Sequence, residues 1–146
     1  MKLEDIEFLG ELPSKYKPSL ESLFFFNPKQ QLNILKIEKA IDRYGYPRII
    51  VNNGNIKIDL EKSNNCQNLF LVRKDIPVVL GVIIHTRTDK TTAELIHFAV
   101  DSDYEGRLSI LENMIKEIYR IYGRIKDIEK IKITYINRIM RLNHNG

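Results

Sequence analysis

The chain has 146 residues, 43% hydrophobic and 29% charged, a length and balance that predict one soluble domain with a substantial core. The start, MKLEDIEF, carries acids where a signal peptide needs a basic and then an apolar stretch. The longest apolar run, residues 78–84, is far too short for a membrane span. A single cysteine, Cys66, excludes an internal disulfide and fits a reducing compartment, so a cytoplasmic protein with no membrane partner is expected.

In chain order, residues 14–44 read as helical. Asn27-Pro28 suits a helix start, with Asn as cap and Pro at the first helical position. Gly45 can close the helix in a left-handed cap. Residues 48–60 hold two β-prone runs around Asn53-Gly54, a pair that favours a tight hairpin because both central residues must take positive φ. Polar residues 61–68 form a loop. Strands over 69–73, 77–87 and 91–100 follow, linked by Lys74-Asp75-Ile76 and Thr88-Asp89-Lys90. Links this short predict an antiparallel meander. A helix runs from about Ile110 to Tyr122, with Leu111, Met114, Ile115, Ile118 and Tyr122 on one stripe and Gly123 at its end. A last strand begins near Lys130, where Ile131, Ile133 and Tyr135 alternate with Lys132, Thr134 and Ile136. The fold class is α+β.

The net charge of +4 is unevenly spread. Between Arg107 and Arg141 stand nine Lys or Arg against four acids, a field that favours phosphates on a nucleotide cofactor or a nucleic acid. Nucleic-acid binding has no other support: the meander offers Val, Ile and Leu where RNA-binding sheets expose aromatics. Phe24, Phe25 and Phe26 read as core. His85, His97 and His144 lie far apart, no Cys/His spacing resembles a zinc site, and no metal is expected. Cys66 has no neighbouring base to activate it. No G-x-S-x-G, Walker A or G-x-G-x-x-G motif occurs.

The strand–loop–helix joint over residues 97–118, HFAVDSDYEGRLSILENMIKEI, is the strongest chemical feature. A loop opening onto a helix N-terminus can hold an anion, and Ser109-Ile110-Leu111-Glu112 reads as a capping box that would satisfy the same helix start without a ligand. The order of three antiparallel strands, loop, long helix and strand over residues 69–142 resembles the cofactor-binding half of the GNAT superfamily of acyl-CoA-dependent N-acyltransferases. The family loop reads approximately V-x-P-x-Y-R-G-x-G-x-G. Here Val100, Tyr104 and Gly106 match it, while Ser102 replaces Pro, Glu105 replaces Arg, and Leu108 and Ile110 stand where glycines would be. Residues 93–100, AELIHFAV, resemble the fourth strand of the histone-acetylating branch.

That resemblance implies a mixed, mainly antiparallel sheet flanked by helices. It implies transfer of an acetyl or other acyl group from acyl-CoA, as co-substrate, to a small-molecule or protein amine. Glu94 matches the family's general base, on a strand whose alternation puts Glu94, Ile96, Phe98 and Val100 on one face. The cofactor would be held by Phe98 and Val100 along its pantetheine arm and by Glu105, Gly106, Arg107, Leu108, Ser109 and Ile110 at its pyrophosphate. Asn137 would also touch the pantetheine, followed in the family by a helix, here residues 138–142. Family members usually continue with a helix bearing a tyrosine acid and two more strands; that arm is expected to be missing here, or its place to be taken by the N-terminal hairpin. A non-catalytic interaction or CoA-binding module on the same scaffold is the alternative.

Overall fold

The computed structural model describes residues 5–25, 42–63, 65–101, 107–133 and 138–141. Among them, one six-stranded sheet has the order β1-β5-β6-β7-β8-β9 and a three-stranded sheet the order β2-β4-β3. The strands are β1 (Ile6–Leu9), β2 (Leu12–Pro13), β3 (Pro47–Asn52), β4 (Asn55–Leu60), β5 (Gln67–Arg73), β6 (Val79–Arg87), β7 (Thr92–Val100), β8 (Lys130–Ile133) and β9 (Arg138–Arg141). A 3-10 turn, Ser14–Tyr16, leads into helix α1 (Lys17–Phe25), and α2 (Arg107–Gly123) crosses from β7 to β8.

The meander over β5, β6 and β7 is antiparallel as expected. β8 then pairs parallel to β7, because the long crossover through α2 returns the chain in the same direction. The β3–β4 hairpin turns on Asn53 (φ 52°) and Gly54 (φ 82°), the positive pair a tight hairpin turn demands.

Two cores form on the two faces of the large sheet. One face carries Phe70, Val72, Val82, Ile84 and Ile96, packed against Leu20 and Leu23 of α1 and Ile56, Ile58 and Leu60 of β4. The other carries Leu69, Leu71, Ile83, Leu95, Ile131 and Ile133 under Ile110, Met114, Ile118 and Tyr122 of α2. Those four recur every fourth residue, so α2 lays a single stripe on the sheet. Each such fully buried side chain contributes about 1.5–3 kcal/mol.

Ahead of the predicted helix, residues to which the sequence assigns no element form strands: β1 forms an edge of the large sheet through pairs such as Phe8–Leu71, and β2 extends the small one. Three expectations are corrected. Residues 138–141 are not helical; they form β9, antiparallel to β8 through Ile131–Met140 and Lys132–Ile139. α2 starts at Arg107 rather than near Ile110, which puts Ser109 inside its first turn and removes the predicted cap there. The alternation along β7 is broken by a bulge, since Ile84 pairs with His97 and His85 with Leu95, leaving Ile96 without an opposite residue. Within the predicted helix over 14–44, residues 14–25 and 42–44 are helical, and residues 26–41, with Asn27-Pro28, lie outside the described residues.

Candidate active site

The bulge in β7 distributes the predicted site residues over both sheet faces. Ahead of it, Glu94 shares a face with Ile96, toward α1 and the small sheet. Beyond it, Phe98 and Val100 pack against the α2 core. A bulge adds one residue without adding a ladder pair, so it reverses the face of everything after it. The expectation that all four side chains share one face is therefore corrected.

Glu94 is 5% exposed. Its cross-strand neighbours are Thr86 on β6 and Lys132 on β8. Among the described residues, β7 pairs with β8 from Thr92–Lys130 to Leu95–Ile133.

Two residues absent from the sequence-based site meet this carboxylate. The Tyr44 hydroxyl donates a short hydrogen bond to Glu94 Oε2. Arg43 Nη1 lies 3.5 Å from the same oxygen, with its guanidinium 5.0 Å from the Tyr44 ring centroid. Burial first, and then the Glu94 bond, push the Tyr44 hydroxyl far above its usual range, so it remains a proton donor at all ordinary pH.

The backbone explains how Arg43 and Tyr44 come to be there. Gly45 takes φ +84°, and a Cβ on it would fall 2.6 Å from Glu61 Cβ and 2.9 Å from Lys62 N. Only glycine allows both the left-handed turn and that approach. Lys62 N–H donates to Tyr44 O at 2.8 Å, and Tyr46 N–H to Glu61 Oε1 at 2.8 Å. These bonds tie the residues around Gly45 to the end of β4, whose buried side chains Ile56, Ile58 and Leu60 pack on the large sheet.

Of the predicted pyrophosphate residues, Arg107, Leu108 and Ser109 begin α2 and Ile110 is a buried core residue. A ligand contact from position 110 would therefore come from its backbone. Glu105, Gly106 and Asn137 lie outside the described residues, as does Tyr135.

The remaining titratable groups are explained by packing. His85 Nδ1 lies 2.6 Å from the Tyr122 hydroxyl on the α2 side, and burial pushes the imidazole down to about 4. His97, also buried, is pushed down to about 4 by the same cause. Burial raises the Cys66 thiol above its usual range, so the thiol stays protonated and a poor nucleophile. A cavity of about 570 Å³ at the ends of β5 and β6 is lined by Gln67, Thr86, Arg87 and Tyr122 among others, and Glu94 does not line it.

No protein-family model matches the sequence, and no curated protein matches it. Solved structures do resemble it. An acetyltransferase from Streptococcus agalactiae superposes with a TM-score of 0.50 at 17% identity, covering 90% of this chain and 73% of that one. Nourseothricin acetyltransferase superposes with a TM-score of 0.50 at 6% identity, covering 88% of this chain and 72% of that one. At such identities the likeness is one of fold alone: the chain shares with these acetyltransferases an α+β fold with a mixed, mainly antiparallel sheet, the GNAT-like fold that the sequence resemblance implies.

Proposed function

We propose that the protein is an N-acyltransferase that moves an acetyl or other acyl group from acyl-CoA to an amine. The observation that carries this reading is the buried Glu94 carboxylate, held by Tyr44 on β7 between β6 and β8, in a fold shared with acetyltransferases. Acyl-CoA would supply the acyl group as an activated thioester. It would lie beyond Leu95 beside Phe98 and Val100, with its phosphates toward the N-terminus of α2 and residues 105–110, where backbone N–H groups and the helix dipole favour anions.

An amine is protonated at neutral pH and cannot attack a carbonyl until it loses a proton. Glu94 would take that proton, directly or through one water, a role worth about 10²–10⁴ in rate. The amine nitrogen then bonds to the acyl carbon, the carbon–sulfur bond breaks, and the electron pair leaves on sulfur, which is finally protonated. The bulge suits this division of labour. Glu94 faces α1, Phe98 and Val100 face α2, and acceptor and donor would meet at the edge of one strand.

The test compares wild type with Glu94→Gln, which keeps the shape of the side chain and loses the proton acceptor. Acetyl-CoA at about 100 times its Kd should stabilise both proteins by about 2.7 kcal/mol, a Tm rise of about 5–10 °C at this chain length. Acyl transfer to a reactive amine should fall about 10²-fold in the variant. The deficit should shrink as pH rises, because the amine then deprotonates unaided. Absence of any stabilisation by millimolar acetyl-CoA would instead favour a non-catalytic interaction module on the same scaffold.

A further inference from the structure

Away from Glu94, the cavity at the ends of β5 and β6 joins fixed polar groups to an apolar wall. Its volume of about 570 Å³ is that of a small-molecule site, roughly 300–1,000 Å³. From α2 and the turn after it come Ile121, Tyr122 and Ile125. From the strand ends come Asn65, Gln67 and Thr86. α2 starts at Arg107, and a rise of about 1.5 Å per residue puts Tyr122 roughly 22 Å from that end. The cavity is therefore remote from the helix start proposed for the acyl-CoA phosphates, and nothing in the proposed acyl transfer uses it.

Arg87 gives the cavity its charge. Its Nε donates to Asp89 O at 3.2 Å and its Nη2 to Lys90 O at 2.6 Å, so the guanidinium is held by the β6–β7 turn. Neutral carbonyls fix a cation in place without cancelling its charge. Among the described residues Arg87 makes no ion pair, and no Asp or Glu lines the cavity. Asp59, 3.9 Å from Cys66 Sγ, is itself paired with Arg48. Burial raises the Tyr122 hydroxyl far above its usual range, and the Arg87 charge pulls it part of the way back. The hydroxyl is fixed by His85 Nδ1 at 2.6 Å, and Thr86 Oγ1 by its bond to Asn65 O at 3.3 Å. These polar groups are in place before any ligand arrives, which lowers the entropic cost of binding one.

We propose that this cavity is a separate binding site, for a small molecule that carries one carboxylate on an apolar body. An uncompensated guanidinium with no acid beside it favours an anion. A single cation balances the single charge of a carboxylate, whose oxygens also match the guanidinium fork. The helix sets the orientation. Carbonyl groups at the C-terminal end of α2 carry partial negative charge, so the carboxylate lies toward Arg87 and the apolar body against Ile121, Tyr122 and Ile125. The site is independent of the acyltransferase reading and stands or falls without it.

Cys66 is the single cysteine of the chain and lines this cavity, so its alkylation by N-ethylmaleimide reports occupancy here and nowhere else. Three probes share one body and differ in charge: 4-phenylbutyrate, 4-phenylbutanol and 4-phenylbutylamine. On the full chain, 4-phenylbutyrate should slow the labelling saturably. The alcohol should need about tenfold more for the same protection, the worth of a hydrogen bond to a charged group, and the amine should not protect. Gln67 is exposed, so its replacement alters charge at the wall without disturbing the core. Gln67→Glu should weaken protection by the acid about two- to fivefold and Gln67→Lys strengthen it by a similar factor, neither changing the alcohol. Arg87→Met, which keeps the stem and removes the charge, should abolish the preference for the acid. No protection by millimolar 4-phenylbutyrate, equal protection by acid and alcohol, or a preference that survives in Arg87→Met would overturn the proposal. Loss of the protection on adding saturating acetyl-CoA would also overturn it, by placing the acid in the acyl-CoA seat.

Discussion

At the scale of single residues, the contact between Tyr44 and Glu94 bears on stability and on the proposed chemistry. Both side chains are buried, so a carboxylate deprived of its phenol donor has no water to replace it. A hydrogen bond to a charged partner is worth about 1.5–3 kcal/mol in such a setting. Tyr44→Phe keeps the ring that packs in the core and deletes only the donor. We expect urea unfolding to report a loss of about that size, and a smaller loss of about 0.5–1.5 kcal/mol when the same change is made in Glu94→Gln, whose acceptor is neutral. Residues in contact couple in this way, whereas distant ones add. Additive losses across the four proteins would mean that the phenol is held by packing and that Glu94 draws nothing from it.

At the scale of elements, two turns with the same backbone conformation make different demands on glycine. Gly54 (φ +82°) has nothing within 4 Å of its notional Cβ, whereas Gly45 (φ +84°) has Glu61 Cβ and Lys62 N inside 3 Å. Gly54→Ala should cost only the left-handed strain of about 1–2 kcal/mol. Gly45→Ala adds displacement of the 61–62 turn, about 1–3 kcal/mol more by analogy with overpacking, and moves Tyr44 away from Glu94. Thermal unfolding should rank the two variants in that order, and only the Gly45 variant should also lose acyl transfer. Equal Tm values would sink the argument. The same contrast shows what local sequence can reveal. Asn53-Gly54 and the i, i+4 stripe of α2 declare themselves within a few residues, because a turn type and a helical period are local properties. The four residues of β1, IEFL, show no alternation and become a strand through pairing with β5, far along the chain. RIMR of β9 is too short to display any period and is drawn into the sheet by β8. The stretch AELIHFAV singles out Glu94 as a candidate, yet it does not give its face relative to Phe98, because residue counting does not register a bulge. Tyr44 lies 50 residues from its acid partner, and nothing near it in sequence announces the contact.

At the scale of the whole molecule, two neutral histidines buried in the sheet make stability depend on pH. His85 and His97 are each 2% exposed, and burial pushes both from 6.5 down to about 4. In the unfolded chain both take up protons as pH falls below about 6.5, while the folded protein refuses them until about 4. The unfolded state then binds more protons, so stability is fully present above 6.5 and is lost as pH falls toward 4. The loss has a limiting slope of about 1.4 kcal/mol per pH unit for each histidine and amounts to about 3 kcal/mol for each by pH 4. Asp75, Asp89 and Glu117, held below their usual range by Arg73, by the Thr91 backbone and by Arg120, respectively, act in the same direction. Carboxylates titrate at lower pH, which leaves the window between about 6.5 and 4.5 mainly to the imidazoles. Urea unfolding at pH 7.5, 6.5, 5.5 and 4.5 should therefore give a flat region above 6.5 and a steep decline below it. His97→Asn, though less stable at pH 7.5, should show about half the wild-type slope between 6.5 and 4.5, since one of two proton-uptake sites is gone. A variant with the full slope would place the acid sensitivity elsewhere in the chain.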